Sequence, residues 1–140
     1  GGQELDLKFE NKRKKLNQII DMQKKKTGRL FNFCFQSVAI IANKNKKERR
    51  FLGKLGEEIG LLFQLTDDFL DIRGSQHLVG KPIKKDRKKG KSTLISLMGY
   101  KKAFNYADKL KKNILLKLKK RGKNTNELID TIEFILGRNF

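Results

Sequence analysis

A single proline, Pro82, stands in the whole chain, and nowhere do apolar and polar residues alternate long enough for a convincing strand. A sequence so poor in helix breakers, with no strand patterning, is expected to be all-α. Leu16, Ile19, Ile20 and Met22 mark one face of a helix near residues 12–25. Residues 28–42 are apolar nearly all round, the pattern of a helix at the centre of a bundle. A third helix is predicted over 47–72, where Phe51, Leu55, Ile59, Leu62, Phe63, Phe69 and Leu70 follow helical spacing. Periodicity then breaks over 74–91. Gly74, Ser75, Gly80 and Pro82 accompany Lys81, Lys84, Lys85, Arg87, Lys88, Lys89 and Lys91 there, which reads as a basic loop. A short helix is predicted over 92–97. Ala103, Ala107, Leu110, Ile114, Leu115 and Leu118 then give a long amphipathic helix that Gly122 ends, and Thr125 or Asn126 caps a last helix closing near Leu136.

Charge narrows the partners. The chain carries 34 Lys plus Arg against 15 Asp plus Glu, a formal charge of +19. A field of that sign attracts polyanions: nucleic acid, an anionic membrane or diphosphates. The lysines are spread along the chain rather than gathered in a tail, so most of them are read as coating solvated faces. Leu30 to Ala42, the longest apolar stretch, is about 13 residues and is interrupted by Asn32, Gln36 and Ser37, whereas a membrane span needs about 20. Cys34, the one cysteine, excludes an internal disulfide and is expected to be a small buried hydrophobe. The protein is therefore expected to be soluble and cytoplasmic, without a membrane span. Its opening, Gly1 to Leu7, lacks an initiator Met and suggests a chain cut from something longer.

The most chemically pointed segment is Phe63 to Asp71, F-Q-L-T-D-D-F-L-D, near the end of the third helix. Residues four apart lie about 40° apart around a helix, so Asp67 and Asp71 share a face, with Asp68 about 100° away on the flank. Like charges at this spacing repel unless a cation neutralises them. Magnesium suits them, because it takes oxygen ligands, keeps waters and is commonly shared between a few carboxylates and substrate phosphates. A solvated acidic helix end, or salt bridges to nearby lysines, would explain the same residues. Gln64 stands one turn before Asp67 on roughly the same face, and the basic loop follows. Carboxylates facing lysines describe a metal–diphosphate site.

The order of further motifs makes the pattern specific. Lys26-Thr27-Gly28 is followed by F-Q-x-x-D-D-x-x-D, Gly80-Lys81, Asp86 and then G-K-S-T at 90–93. The start G-Q-x-L-D-L and the ending Arg138-Asn139 fit the same scheme. In order and spacing, essentially all 140 residues resemble the C-terminal half of the trans-prenyl diphosphate synthases, particularly the short-chain members.

The resemblance implies one helical domain portion over 1–140, of the isoprenoid-synthase bundle type, with an active-site loop at 74–91. It implies Mg²⁺-dependent condensation of an allylic diphosphate with isopentenyl diphosphate, releasing pyrophosphate, in a complete protein that is a homodimer. By similarity Asp67 binds magnesium directly, with Asp68 and Asp71 assisting. Lys26, Lys81 and Lys91 serve the diphosphate, with Lys91 and Asp86 ordering the loop. Lys26, Thr27 and Gln64 form the catalytic group, in which Thr27 and Gln64 turn oxygen dipoles to the allylic cation. Plain alternatives stand beside these roles: Lys26 in a solvated lysine run, Thr27 as a helix cap and Gln64 as an interhelical hydrogen-bonding residue.

The family carries two aspartate-rich motifs, and only the second is present. The first, with the isopentenyl diphosphate pocket and the determinants of product length, would lie upstream, so the fragment alone is expected to be inactive. Leu94-Ile95 follows G-K-S-T where an aromatic–proline pair is common, and Lys84 replaces a frequent small residue. A noncatalytic partner of the same fold is one alternative. A basic nucleic-acid-binding helical protein is another, ranked last because no nucleic-acid motif is present and no nucleic acid is expected as partner.

Overall fold

The computed structural model describes residues 15–22, 24–79 and 94–136, and every regular element among them is helical. Helix α1 covers 15–22, and a π-helical turn spans Lys24–Gly28. Then come α2 (Arg29–Ile41), α3 (Lys46–Val79), α4 (Leu94–Met98), α5 (Tyr100–Lys119), a 3₁₀ turn (Lys123–Thr125) and α6 (Asn126–Leu136). The all-α expectation holds. Helix α3 runs on through Gly74 and Ser75 to Val79, past the end expected at Ile72, while the rest of the 74–91 loop lies outside the described residues.

Helix α3 is the axis of the molecule. It is joined to α2 by a tight turn in which Asn43 adopts a left-handed φ of 51°, a conformation asparagine tolerates better than most residues. Asn45 then caps α3, its Oδ1 accepting the Glu48 N–H at 2.9 Å. The two helices form an antiparallel hairpin, with Thr27 opposite Gln64 and Asn32 opposite Glu57. On the other side α5 also runs antiparallel to α3: Phe69 meets Tyr100 and Phe104, and Lys117 pairs with Glu58 at 2.6 Å. At the far end of that pair, Arg121 bonds Glu48 and lies 3.8 Å over the Phe51 ring. Burial, and then the Glu58 carboxylate, hold the Tyr106 hydroxyl above its ordinary pKa of 10.0.

The core is a seam along α3. Leu55, Ile59, Leu62, Leu65 and Phe69 are buried at the i, i+3, i+4 spacing that presents one helix face. Leu94 and Ile95 of α4, Ala103, Ala107, Ile114 and Leu118 of α5, and Ile129 and Ile132 of α6 close over it. Leu94-Ile95, where the family commonly has an aromatic and a proline, is thus a pair of core residues. Gly122, at φ 94°, follows the end of α5 as expected. Thr125 does not act as a simple cap for α6; its hydroxyl reaches the Gly122 and Leu118 carbonyls, 2.8 and 3.0 Å away, and so satisfies the preceding helix end.

Two expectations fail. Helix α2 is not central: only Ala39 is buried, while Phe33 is 69% and Ile41 82% exposed, with Leu30, Val38 and Ile40 also in the open. Cys34 shares that open face and is exposed rather than buried. An apolar sequence requires a cover for each face, and among the described residues α2 is covered mainly by α3. Phe63 and Leu70 are likewise exposed, because the seam through Leu62, Leu65 and Phe69 leaves them on the opposite flank.

The hairpin is tight because glycine permits it. A methyl group at Gly56 would lie 2.7 Å from the Phe31 carbonyl oxygen, and one at Gly60 3.2 Å from the Gly28 Cα. Gly56→Ala gains about 1 kcal/mol of helix propensity but overpacks a backbone contact, which costs about 1–3 kcal/mol. The obstructing atom is main chain and cannot rotate away, so a net loss of stability is expected in denaturant melts. A more stable Gly56→Ala protein would show that the helices do not approach this closely.

Candidate functional site

The aspartate segment is oriented by the core. Leu65 and Phe69 turn into the seam, and the Thr66 hydroxyl is satisfied by the Leu62 carbonyl at 2.9 Å. Those anchors leave Asp67 and Asp71, one turn apart, exposed on a common face, as the spacing predicts. Asp68, about 100° round the helix from Asp67, is only 8% exposed.

Gln64 stands one turn earlier. Its Nε2 donates to Asp68 Oδ1 at 3.3 Å, a partner the sequence reading did not single out. From α2's side, the Thr27 hydroxyl donates to Gln64 Oε1, also at 3.3 Å. Thr27 therefore does not cap α2. Gly28 already has helical φ and ψ, and the widened π turn carries the chain into α2 while Thr27 meets α3. Three residues picked out separately in the sequence thus form one hydrogen-bonded line, Thr27 to Gln64 to Asp68.

Lys26 lies in the same π turn. Lys81, Asp86 and Lys91 lie outside the described residues. Among the described residues no three His, Cys, Asp or Glu side chains converge as a ready-made metal cage. Asp67 and Asp71 are exposed carboxylates beside a half-buried polar line.

Sequence reasoning missed the residues that hold the hairpin in register next to Thr27. Asn32 Nδ2 donates to Glu57 Oε1 at 2.7 Å, and Gln36 Nε2 donates to Asn32 Oδ1 at 2.7 Å. Asn32 and Gln36 had stood out only as interruptions of an apolar run. Their spacing of four, opposite a glutamate flanked by the glycines of α3, was the available signal. Phe31 and Phe63 pack beside this network with ring centroids 5.9 Å apart.

A long helix packed on two sides by antiparallel helices, with two aspartates exposed one turn apart, is the frame of an all-α protein. The chain belongs to the polyprenyl synthetase family, whose model matches residues 1–132. It is 36% identical over 135 residues to a short chain isoprenyl diphosphate synthase from Methanocaldococcus jannaschii, covering 96% of this chain and 40% of that protein. It is 34% identical over 144 residues to a farnesyl diphosphate synthase from Escherichia coli, covering 99% and 48% respectively. Among solved structures it is similar to an FPP/GFPP synthase from Zymomonas mobilis, with a TM-score of 0.67 and 32% identity over 84% of this chain and 37% of that one. The chain spans less than half the length of each of these relatives. No described helix is long and apolar enough to cross a membrane.

Proposed function

We propose that this chain supplies the C-terminal half of a prenyltransferase site that joins an allylic diphosphate to isopentenyl diphosphate, releasing pyrophosphate. The observation that carries the reading is the line from Thr27 through Gln64 to Asp68, which brings the K-T-G and D-D-x-x-D segments to one place. The relatives named as isoprenyl and farnesyl diphosphate synthases support the same chemistry and favour a short-chain product.

The hard step separates charge at the allylic C–O bond, so the site has to stabilise a departing pyrophosphate and a carbocation. Asp67 and Asp71 would hold Mg²⁺. Their exposed, all-oxygen donor set fits an ion that prefers a few carboxylates, several waters and the substrate's phosphates. When bound, Mg²⁺ offsets negative charge on the leaving pyrophosphate. Lys26, Lys81 and Lys91 donate N–H groups to diphosphate oxygens, each as a point charge. Thr27 Oγ1 and Gln64 Oε1 turn electron-rich oxygen toward the cation, and Asp86 helps to order the loop at 74–91. The working protein is a cytoplasmic homodimer in this reading.

The test is an assay of the protein expressed from its full reading frame, with isopentenyl and geranyl diphosphates and Mg²⁺. Prenyl product that EDTA abolishes is expected. Absence of product at any metal concentration would remove the synthase reading and leave a noncatalytic relative.

A further inference from the structure

We infer that Asp68 is a positioning residue for the Gln64 amide rather than a metal ligand; this deepens, and rests on, the prenyltransferase reading. Three aspartates in D-D-x-x-D invite one role, but the fold divides them. Asp67 and Asp71 are exposed on one face, whereas Asp68 is 8% exposed and is hydrogen-bonded to Gln64.

The division has a chemical consequence. A primary amide has a donor end and an acceptor end and can be rotated to present either one. An ionised carboxylate only accepts, so Asp68 selects the Nε2 end of Gln64. The reversed amide would set Oε1 against a carboxylate oxygen. With Nε2 committed to Asp68, Oε1 has to face the other way, and it does, accepting the Thr27 hydroxyl. That hydroxyl has given its only proton to Gln64, so the Thr27 oxygen keeps its lone pairs for the site.

The line is therefore directional. The carboxylate fixes the sense of the amide, and the amide fixes the sense of the hydroxyl. On the prenyltransferase reading, the lone pairs left on the Thr27 oxygen are the dipole this line would offer a developing positive charge. Oriented dipoles fixed before the reaction cost no reorganisation as the charge forms. In Asp68→Asn the new side chain can donate as well as accept, and Gln64 loses the constraint that fixed its sense. The helix hairpin supports the line from behind, because Asn32 on Glu57 keeps α2 in register with α3.

The test compares Asp67→Asn, Asp68→Asn, Gln64→Ala and the Gln64→Ala/Asp68→Asn double variant in the protein expressed from its full reading frame. Binding of magnesium pyrophosphate is measured by calorimetry, and turnover is measured separately. Asp67→Asn is expected to lose magnesium pyrophosphate binding. Asp68→Asn is expected to retain it while kcat falls roughly 10- to 100-fold, the range of other supporting hydrogen-bond partners. The double variant should be no slower than Gln64→Ala alone, since Asp68 acts through Gln64. Loss of magnesium pyrophosphate binding in Asp68→Asn, or additive losses in the double variant, would overturn the positioning role and leave the synthase reading intact. A wild-type protein that neither binds magnesium pyrophosphate nor turns over would instead overturn the synthase reading itself.

Discussion

Asp67→Ala is expected to reduce turnover of the full-length protein by roughly 10²- to 10³-fold or more, the scale seen when one group stabilising transition-state charge is removed. It should leave the fold intact. Asp67 is exposed and takes no part in the seam of α3, and surface changes of this kind usually stay within about 0.5 kcal/mol. Removing it also relieves like-charge repulsion with Asp71, one turn on. Thermal midpoint and kcat should therefore separate cleanly. A matched change on another helix, Asp130→Ala on α6, is exposed too and should alter neither. An Asp67→Ala protein with near-normal turnover would remove the carboxylate face from the mechanism.

Phe69→Ala should lower stability and activity together. Phe69 sits between Asp68 and Asp71 in sequence but is only 1% exposed, with edge-on ring contacts to Tyr100 at 5.1 Å and Phe104 at 6.2 Å. Truncating a buried phenylalanine costs about 3–5 kcal/mol in lost burial and residual cavity. That is a large share of the roughly 5–15 kcal/mol that holds a domain together. The site should fail because α3 is no longer held against α5, so activity and stability fall together. Equilibrium denaturation decides the matter: a loss below about 1 kcal/mol would mean the α3–α5 seam is not what fixes the aspartates.

The contrast between neighbouring residues explains what was legible in the sequence. Helical periodicity identified the elements and most of the α3 face, since Leu55, Ile59, Leu62 and Phe69 lie where their spacing puts them. It could not say that Phe63 and Leu70 fall outside the seam, because a flank residue is apolar whenever something else covers it. The same ambiguity misplaced α2 and Cys34. Composition records that a face is meant to be covered, and the covering element need not be part of the same stretch of chain. At the site, motif spacing named Thr27, Gln64 and the aspartates, but the pairing of Thr27 with Gln64 depends on how α2 crosses α3. That crossing is set by backbone contact at Gly56 and Gly60. The π turn at Lys24–Gly28 left no periodic trace, and a threonine before a glycine and a helix resembled a cap.

The open face of α2 sets how this polypeptide behaves as a colloid. Leu30, Phe33, Val38, Ile40 and Ile41 make it adhesive at short range, while a formal charge of +19 makes copies repel at long range. Salt acts on only one of these forces. The screening length falls from about 10 Å at 0.1 M to about 3 Å at 1 M, so rising ionic strength strips away the repulsion and leaves the adhesion. A chain of this composition is expected to stay dispersed in dilute buffer and to cloud on salting, as light scattering would read, the opposite of a protein whose aggregation is driven by attraction between opposite charges.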